Sequence, residues 1–254
     1  MVEYGMPCCD EPFDFRRQAA TYAHFRPHYS EALYDAIFSR SGPGAGRIAL
    51  DLGCGPGVVA TALRGRDWRV VGVDFSAPML AEAQHSGAGI GWARARAEAL
   101  PLRTGTAALM TCGTAFHWFG PVPTLAEIAR VLTPGGWAAI FWQYSAPDDP
   151  AMALLGEVLT ELGIEVPEVL LTPPGPLPPF AGPQWSPEPP LQITAEHPFT
   201  TDAFVGWIAT LEWVRRSTGS RHGELLDALR RTANARYPTG VRHRARQDLF
   251  LARR

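Results

Sequence analysis

The chain has 254 residues, 46% hydrophobic and 19% charged, which is ordinary for a soluble globular protein of one large domain or a core with a small cap. Its 23 basic residues are all arginine and face 25 acidic ones, and a net charge of −2 argues against a broad nucleic-acid surface. No apolar run reaches membrane-spanning length, and the acidic, proline-interrupted start MVEYGMPCCDEPFDF is no signal peptide, so a cytoplasmic protein is expected.

In chain order, residues 14–39 read as helix, a break at Arg26-Pro27, and helix. Residues 47–52 read as a buried strand, 57–65 as a helix, 69–74 as a strand and 77–86 as a helix, with Ser76 as cap and Pro78 in the first turn. A third strand is expected from Ile90, a fourth from Ala107 and a fifth from Trp137, with a helix at 121–132 before the last. Strands alternating with helices imply a parallel sheet covered on both faces. Residues 151–163 then look helical. Between Pro167 and Pro190, ten of 24 residues are proline, which excludes regular helix and central strand. After it come a strand at 191–199, helices at 201–214 and 221–235, and a strand at 241–254. The proline stretch reads as an excursion from which the chain returns to the sheet. The four cysteines, Cys8, Cys9, Cys54 and Cys112, form no CxxC and no group of zinc spacing, and His24 and His28 flank Pro27 without an HExxH glutamate. Free thiols and no metal are expected.

The informative stretch is IALDLGCGPG, Ile48 to Gly57, followed by RVVGVDFS from Arg69. A strand that feeds a glycine-rich turn brings bare backbone to a ligand at the edge of an open α/β sheet. Gly53, Gly55 and Gly57 fall at alternate positions, and Val58 stands where a dinucleotide fingerprint needs its third glycine. No Gly-Lys-Ser/Thr follows, so a P-loop is excluded. Asp51, just before the turn, repels phosphate and suits a cation. Asp74 ends the next strand, where an acid accepts ribose hydroxyls. A ribose, no phosphate and a positive charge describe S-adenosylmethionine.

Together, DLGCGPG, GVDFSAPML, AEALPL, TAFHWF and ARVLTPGGW resemble the class I S-adenosylmethionine-dependent methyltransferases, in the flavour of trans-aconitate methyltransferase and the quinone-biosynthesis C-methyltransferases. The resemblance covers residues 14–145 well and 191–254 in layout. It implies a Rossmann-like α/β fold. Its seven-stranded sheet would be mostly parallel, with the last strand antiparallel and a helical, proline-rich lid inserted after strand five. The implied organisation is an N-terminal helical cap over 1–40, a cofactor core over 41–145, a lid over 146–220, and a final helix and strand over 221–254. Asp51 and the backbone of Gly53, Cys54 and Gly55 would hold the methionine part of the cofactor. Asp74 would take the ribose, with Phe75 and Met79 flanking the adenine and Ala97 and Glu98 at its amino edge. Many members have Asp-Ala-Glu here; this chain has Arg96-Ala97-Glu98, and arginine accepts no hydrogen bond. Thr114 and Ala115 would lie beside the sulfonium, and Arg26 is placed to reach the methionine carboxylate.

Methyl transfer is a displacement at carbon in which positioning and desolvation do most of the work, and no protein nucleophile is required. A base is needed only when the acceptor must lose a proton. The expected acceptor wall is aromatic: Tyr22, Tyr29, Phe116, Trp118, Phe119, Trp142 and Tyr144. His117 is the one histidine that the motifs place near the transfer point, as a base or as a loop-holding hydrogen-bond partner. The reading is a small-molecule methyltransferase, O-directed before C- or N-directed, that releases S-adenosylhomocysteine. Its acceptor would be apolar, aromatic or carboxylic. It would use no metal, nucleic acid or membrane, and would be a monomer or homodimer. A macromolecular methyltransferase is argued against by the missing N/D-P-P-Y/F motif. A scaffold or cyclase that binds the cofactor without methyl transfer would show the same cofactor residues. The segment Ser145–Thr200 is expected to be a lid that, with residues 14–39, covers the acceptor; Phe180 and Trp185 anchor it, and the helix at 201–214 carries Phe204, Trp207 and Trp213.

Overall fold

A computed structural model of the chain describes residues 15–86, 89–165 and 178–254. The expectations for residues 1–14, with Cys8 and Cys9, and for the middle of the proline stretch, 166–177, lie outside the described residues. Helices α1 (Phe15–Phe25) and α2 (Glu31–Ser41) open the chain. Strands β1 (Ile48–Leu52), β2 (Arg69–Asp74), β3 (Gly91–Arg94), β4 (Ala107–Gly113) and β5 (Leu132–Ser145) follow. Helices α3 (Val58–Arg64), α4 (Ala77–Ala83) and α5 (Pro121–Val131) lie between them. Then come α6 (Pro150–Glu161), β6 (Ser186–Pro187), β7 (Leu191–Phe199), α7 (Thr201–Ala209), α8 (Glu212–Thr218), α9 (His222–Arg236) and β8 (Val241–Arg253).

The sheet has the order β3-β2-β1-β4-β5-β8-β6, with β7 also paired to β8. Pairings among β1 to β5 are parallel, while β8 runs antiparallel to β5, β6 and β7. The fold is therefore the Rossmann-like α/β sheet expected, with eight strands rather than seven because the two-residue β6 joins the edge of β8. β5 starts at Leu132, five residues before the expected Trp137: Leu132 pairs with Ala107, and the register shifts before Leu109. The expected helix over 201–214 is two helices. Thr210 turns its hydroxyl back onto the Trp207 carbonyl at 2.6 Å, a local bond that competes with the helical ladder, and its own carbonyl accepts from Arg26 at 3.1 Å.

Three cores hold these parts. On one face of the sheet, α5 packs Leu125 and Ile128 over Ala138, Ile140, Trp142 and Phe250. On the other, Leu33, Ile37 and Leu63 pack over Ala49, Leu109, Phe141 and Leu251. The third joins the later helices to one another through Leu155, Phe204, Trp207, Val214 and Leu229, with Phe25 of α1 against it. α6 leaves from the carboxyl end of β5, α7 from the end of β7, and α9 enters β8 there, so this helical cluster stands at the carboxyl edge of the parallel strands.

The proline stretch differs from the lid expectation in its described part. Phe180 packs on Trp185 at 5.1 Å, Trp185 is buried in the α5-side core, and Ser186–Pro187 pair with Arg253 and Ala252. Those partners lie opposite Trp137 and Ala138, at the amino end of β5. Residues 180–187 thus lie at the far end of the sheet from the ligand edge, because tryptophan and phenylalanine find their burial against β8 there.

Candidate active site

The site is built at the carboxyl ends of β1, β2, β4 and β5. Gly53 has φ +65°, and a side chain on it would meet Ala115 Cβ at 2.5 Å, so this glycine serves close packing of β1 on the turn after β4. Gly55 has φ +52°, and a side chain there would meet nothing within 4 Å; its bare backbone faces open space. Its amide donates to Asp74 Oδ2 at 2.9 Å, while Asp74 Oδ1 accepts from the Ser76 amide at 2.7 Å. Burial raises the Asp74 carboxyl above its usual range, and these amides oppose the rise. Each oxygen keeps a second lone pair for a ligand hydroxyl.

Asp51 is buried beneath this turn. Its Oδ1 accepts from the Thr111 hydroxyl at 2.9 Å and its Oδ2 has no hydrogen-bond partner. Burial raises its pKa to about 7, against the lowering effects of the Thr111 hydroxyl and the Ala60 amide in α3. A buried carboxylate with so few donors is suited to a cationic ligand. Cys54 is buried beside it, and burial raises its thiol pKa far above the usual range, so it is an inert part of the wall.

Thr114, directly after β4, lies in the left-handed region at φ +49°, which a β-branched residue adopts only under constraint. The constraint is visible. Its hydroxyl lies 3.0 Å from the Tyr29 hydroxyl and accepts from the Gln143 amide at 3.2 Å, and its amide donates to Phe141 at 2.7 Å. This bend redirects the chain into Ala115 and the 3-10 turn Phe116–Trp118. Tyr29 packs edge-on against Phe141 at 4.8 Å, and burial pushes its phenol pKa up.

Tyr29 is held by a polar strap that the sequence reading missed. The Gln143 side-chain amide donates to the Pro27 carbonyl at 3.3 Å, Gln247 donates to Gln143 at 2.6 Å, and Ser30 donates to Gln247 at 2.6 Å while capping α2. α1 consequently lies against α4 and α7. Phe25 fills the space at Gly206 of α7 where any side chain would clash. Arg26 sits over the Tyr22 ring at 4.7 Å, donates to Thr210, and has its Nε buried without a partner.

The remaining expected residues divide. Phe75 is 60% exposed at the rim, with the Arg94 and Arg96 guanidinium groups 5.3 and 5.9 Å from its ring, and Trp118 is 54% exposed. Met79, Ala97, Phe116 and Trp142 are buried in packing rather than open to a ligand. Glu98, expected at the adenine edge, turns away: its carboxylate accepts from the Gly120 amide at 3.0 Å at the start of α5 and lies 3.4 Å from Arg96. Trp142 donates from Nε1 to His117 Nδ1 at 3.2 Å, and burial lowers the His117 pKa to about 4. The imidazole is therefore neutral, with its proton on Nε2. Tyr144 continues outward on β5, with the Arg246 guanidinium 5.6 Å from its ring. Among the described residues no group of three or more His, Cys, Asp or Glu side chains could hold a metal ion, and no helix is long and apolar enough to cross a membrane.

An S-adenosylmethionine molecule fits this donor set. Asp51 would balance its positive charge, the open Gly55 backbone would admit it, Asp74 would accept its diol, and Arg26 would face its carboxylate. Residues 50–140 match the family described as a methyltransferase domain. A malonyl-[acyl-carrier protein] O-methyltransferase of Enterobacter lignolyticus is 32% identical over 132 residues, 49% of this chain and 53% of that protein. An uncharacterised methyltransferase of Mycobacterium tuberculosis is 33% identical over 137 residues, 52% of this chain and 53% of that protein. The chain thus spans about half the length of these curated relatives. A solved methyltransferase structure from Anaeromyxobacter dehalogenans superposes over 90% of this chain and 97% of its own, with 26% identity and a TM-score of 0.60. Residues 50–140 thus match a methyltransferase domain, and the fold over 90% of the chain is that of the Anaeromyxobacter structure.

Proposed function

We propose that the protein transfers a methyl group from S-adenosylmethionine to an oxygen of a small acceptor. The acceptor would lie between the carboxyl ends of β4 and β5 and the helical cluster above them. The observation that carries the reading is the junction of Gly55 and Asp74, where bare backbone facing open space hydrogen-bonds the acid that ends β2. The cofactor supplies a methyl group on a sulfonium, whose sulfur departs as a neutral thioether without acid assistance. Asp74 accepts the ribose hydroxyls, Asp51 balances the cationic methionine end, and Arg26 donates to its carboxylate. Thr114 and Ala115 set the floor at the transferring carbon. α1, pressed between α4 and α7, excludes water from the reacting atoms.

His117 is a positioning residue in this reading. Its Nδ1 lone pair is engaged by Trp142, its Nε2 carries a proton, and a pKa of about 4 makes it a poor base near neutrality. A carboxylate acceptor, which needs no deprotonation, suits such a site. The oxygen-directed activity in the name of the Enterobacter relative supports the same choice. The residues 180–187 at the far end of the sheet take no part, and closure over the acceptor falls to α1, α6 and α7.

The test is calorimetry with S-adenosylhomocysteine together with its release from S-adenosylmethionine across a panel of carboxylic acids and phenols. Asp74→Ala should weaken cofactor binding by about 2 kcal/mol, the cost of losing a charged acceptor. Unchanged affinity would remove Asp74 from the site, and no cofactor binding by the wild type would sink the reading.

A further inference from the structure

We propose that Arg246 is the specificity anchor of the acceptor site and that it takes a carboxylate of the acceptor; the inference rests on the methyltransferase reading above. Among the described residues, Arg26 and Arg246 are the arginines with a buried nitrogen that makes no hydrogen bond. Arg26 directly follows α1 and donates to the Thr210 carbonyl. Arg246 lies on β8, paired across to Tyr144 of β5. Its side chain is 18% exposed, and its Nε and Nη2 both lack a hydrogen-bond partner. Leaving a buried donor unsatisfied costs about 1–3 kcal/mol, more for a charged group, and a ligand oxyanion removes that cost. The neighbouring arginine on the same strand, Arg244, behaves differently: it donates to both Asp148 and Glu196.

The position is right for an acceptor. Trp142, Tyr144, Arg246 and Asp248 share one face of the sheet by strand alternation and register. Trp142 carries His117 from the turn after β4, and Tyr144 and Arg246 are the next row outward. β4 and β8 are two strand spacings apart, about 10 Å, a distance a small acceptor and an arginine side chain bridge together. The Tyr144 ring provides an apolar wall beside the guanidinium.

The charges select a monoanion. Asp248 Oδ2 lies 3.1 Å from Arg246 Nη2, without the alignment of a hydrogen bond, and Asp248 Oδ1 is held by the Gln192 amide at 3.0 Å. His117 is neutral. Arg246 therefore offers directed N–H donors on a locally neutral site. A dianionic phosphate would meet the Asp248 charge with a single cation in return. A carboxylate matches the Nε–Nη2 side of the guanidinium fork, where neither nitrogen makes a hydrogen bond.

The experiment measures binding of matched acid and amide pairs, benzoate and benzamide, octanoate and octanamide, succinate and succinamide, to protein saturated with S-adenosylhomocysteine. In the wild type at least one acid should bind about tenfold tighter than its amide, as a charge-assisted contact requires. Arg246→Gln should bring that pair within about twofold while cofactor affinity stays unchanged. Arg246→Lys keeps a cation beside Asp248 and loses the planar fork, so it should fold and lower affinity for the acid at least about threefold. The inference is overturned if the wild type prefers no acid, if the preference survives in Arg246→Gln, or if Arg246→Lys binds the acid as the wild type does. Absence of cofactor binding in the wild type would instead defeat the methyltransferase reading, and this inference with it.

Discussion

Asp51 and His117 carry the titration behaviour of the site. Burial raises Asp51 to about 7, above its value in an unfolded chain. Between about pH 4 and 7 the folded protein therefore binds the extra proton, and Asp51 makes stability fall as pH rises through that window. Asp51→Asn keeps the acceptor for Thr111 and should raise the Tm above pH 7. A cationic ligand favours the ionised form, so S-adenosylmethionine should bind the wild type about tenfold more tightly at pH 8 than at pH 6. Calorimetry of the Asn variant should show that dependence reduced; an equal slope in both proteins refutes the pairing of Asp51 with the cofactor's charge. His117→Ala should lower kcat with a carboxylate acceptor by less than about tenfold, against the hundredfold or more of a lost general base. A pH–rate limb near 6.5 that disappears in the variant would restore His117 as a base. The sequence placed His117 beside the transfer point but left its role open, because the Trp142 partner lies on another strand.

At the scale of elements, α1 is set by its strap to the sheet. Gln247 is fully buried and bridges Gln143 and Ser30. Gln247→Ala removes the partner of the half-buried Gln143 and Ser30 side chains and should destabilise the protein by about 1–2 kcal/mol. Hydrogen exchange should then rise most in residues 15–30, and cofactor affinity should fall with it because Arg26 loses its support. Uniform exchange across the sheet and α1 would show that the strap is not what holds the helix. The helix pair around Arg26-Pro27 was legible from proline. Its docking was not, since Gln143 and Gln247 read simply as polar positions in strands. The proline stretch was legible as irregular, but its aromatic anchors seat at the amino end of the sheet, where open core surface was available.

Over the whole molecule, the histidines whose pKa burial lowers, His117, His197 and His222, oppose the acids that it raises, Asp51 and Asp74. Burial lowers both His117 and His197 to about 4, and the unfolded chain protonates them near 6.5. Between those values the unfolded state binds more protons, so stability is lost as pH falls from about 6.5 to about 4. Asp51 and Asp74 act in the opposite sense over part of the same range, two raised acids against three lowered histidines. Urea unfolding at pH 7, 6 and 5 should show a falling midpoint, and His197→Phe should flatten it. A midpoint that is constant or rises toward pH 5 would contradict the burial of these rings.

The sequence by itself determined the strand and helix alternation, the glycine turn with Asp51 and Asp74, and hence the cofactor class. These features are local: side-chain period, turn chemistry and an acid at a strand end all act within a few residues. Only the tertiary structure decided which groups complete the site. Tyr29 meets Thr114 across 85 positions and Ser30 meets Gln247 across 217, and no local propensity encodes such pairs. It also turned Glu98 toward the α5 terminus and buried Trp142. It left buried nitrogens of Arg26 and Arg246 without hydrogen bonds, because the satisfaction of a polar group depends on which strands and helices come to lie beside it.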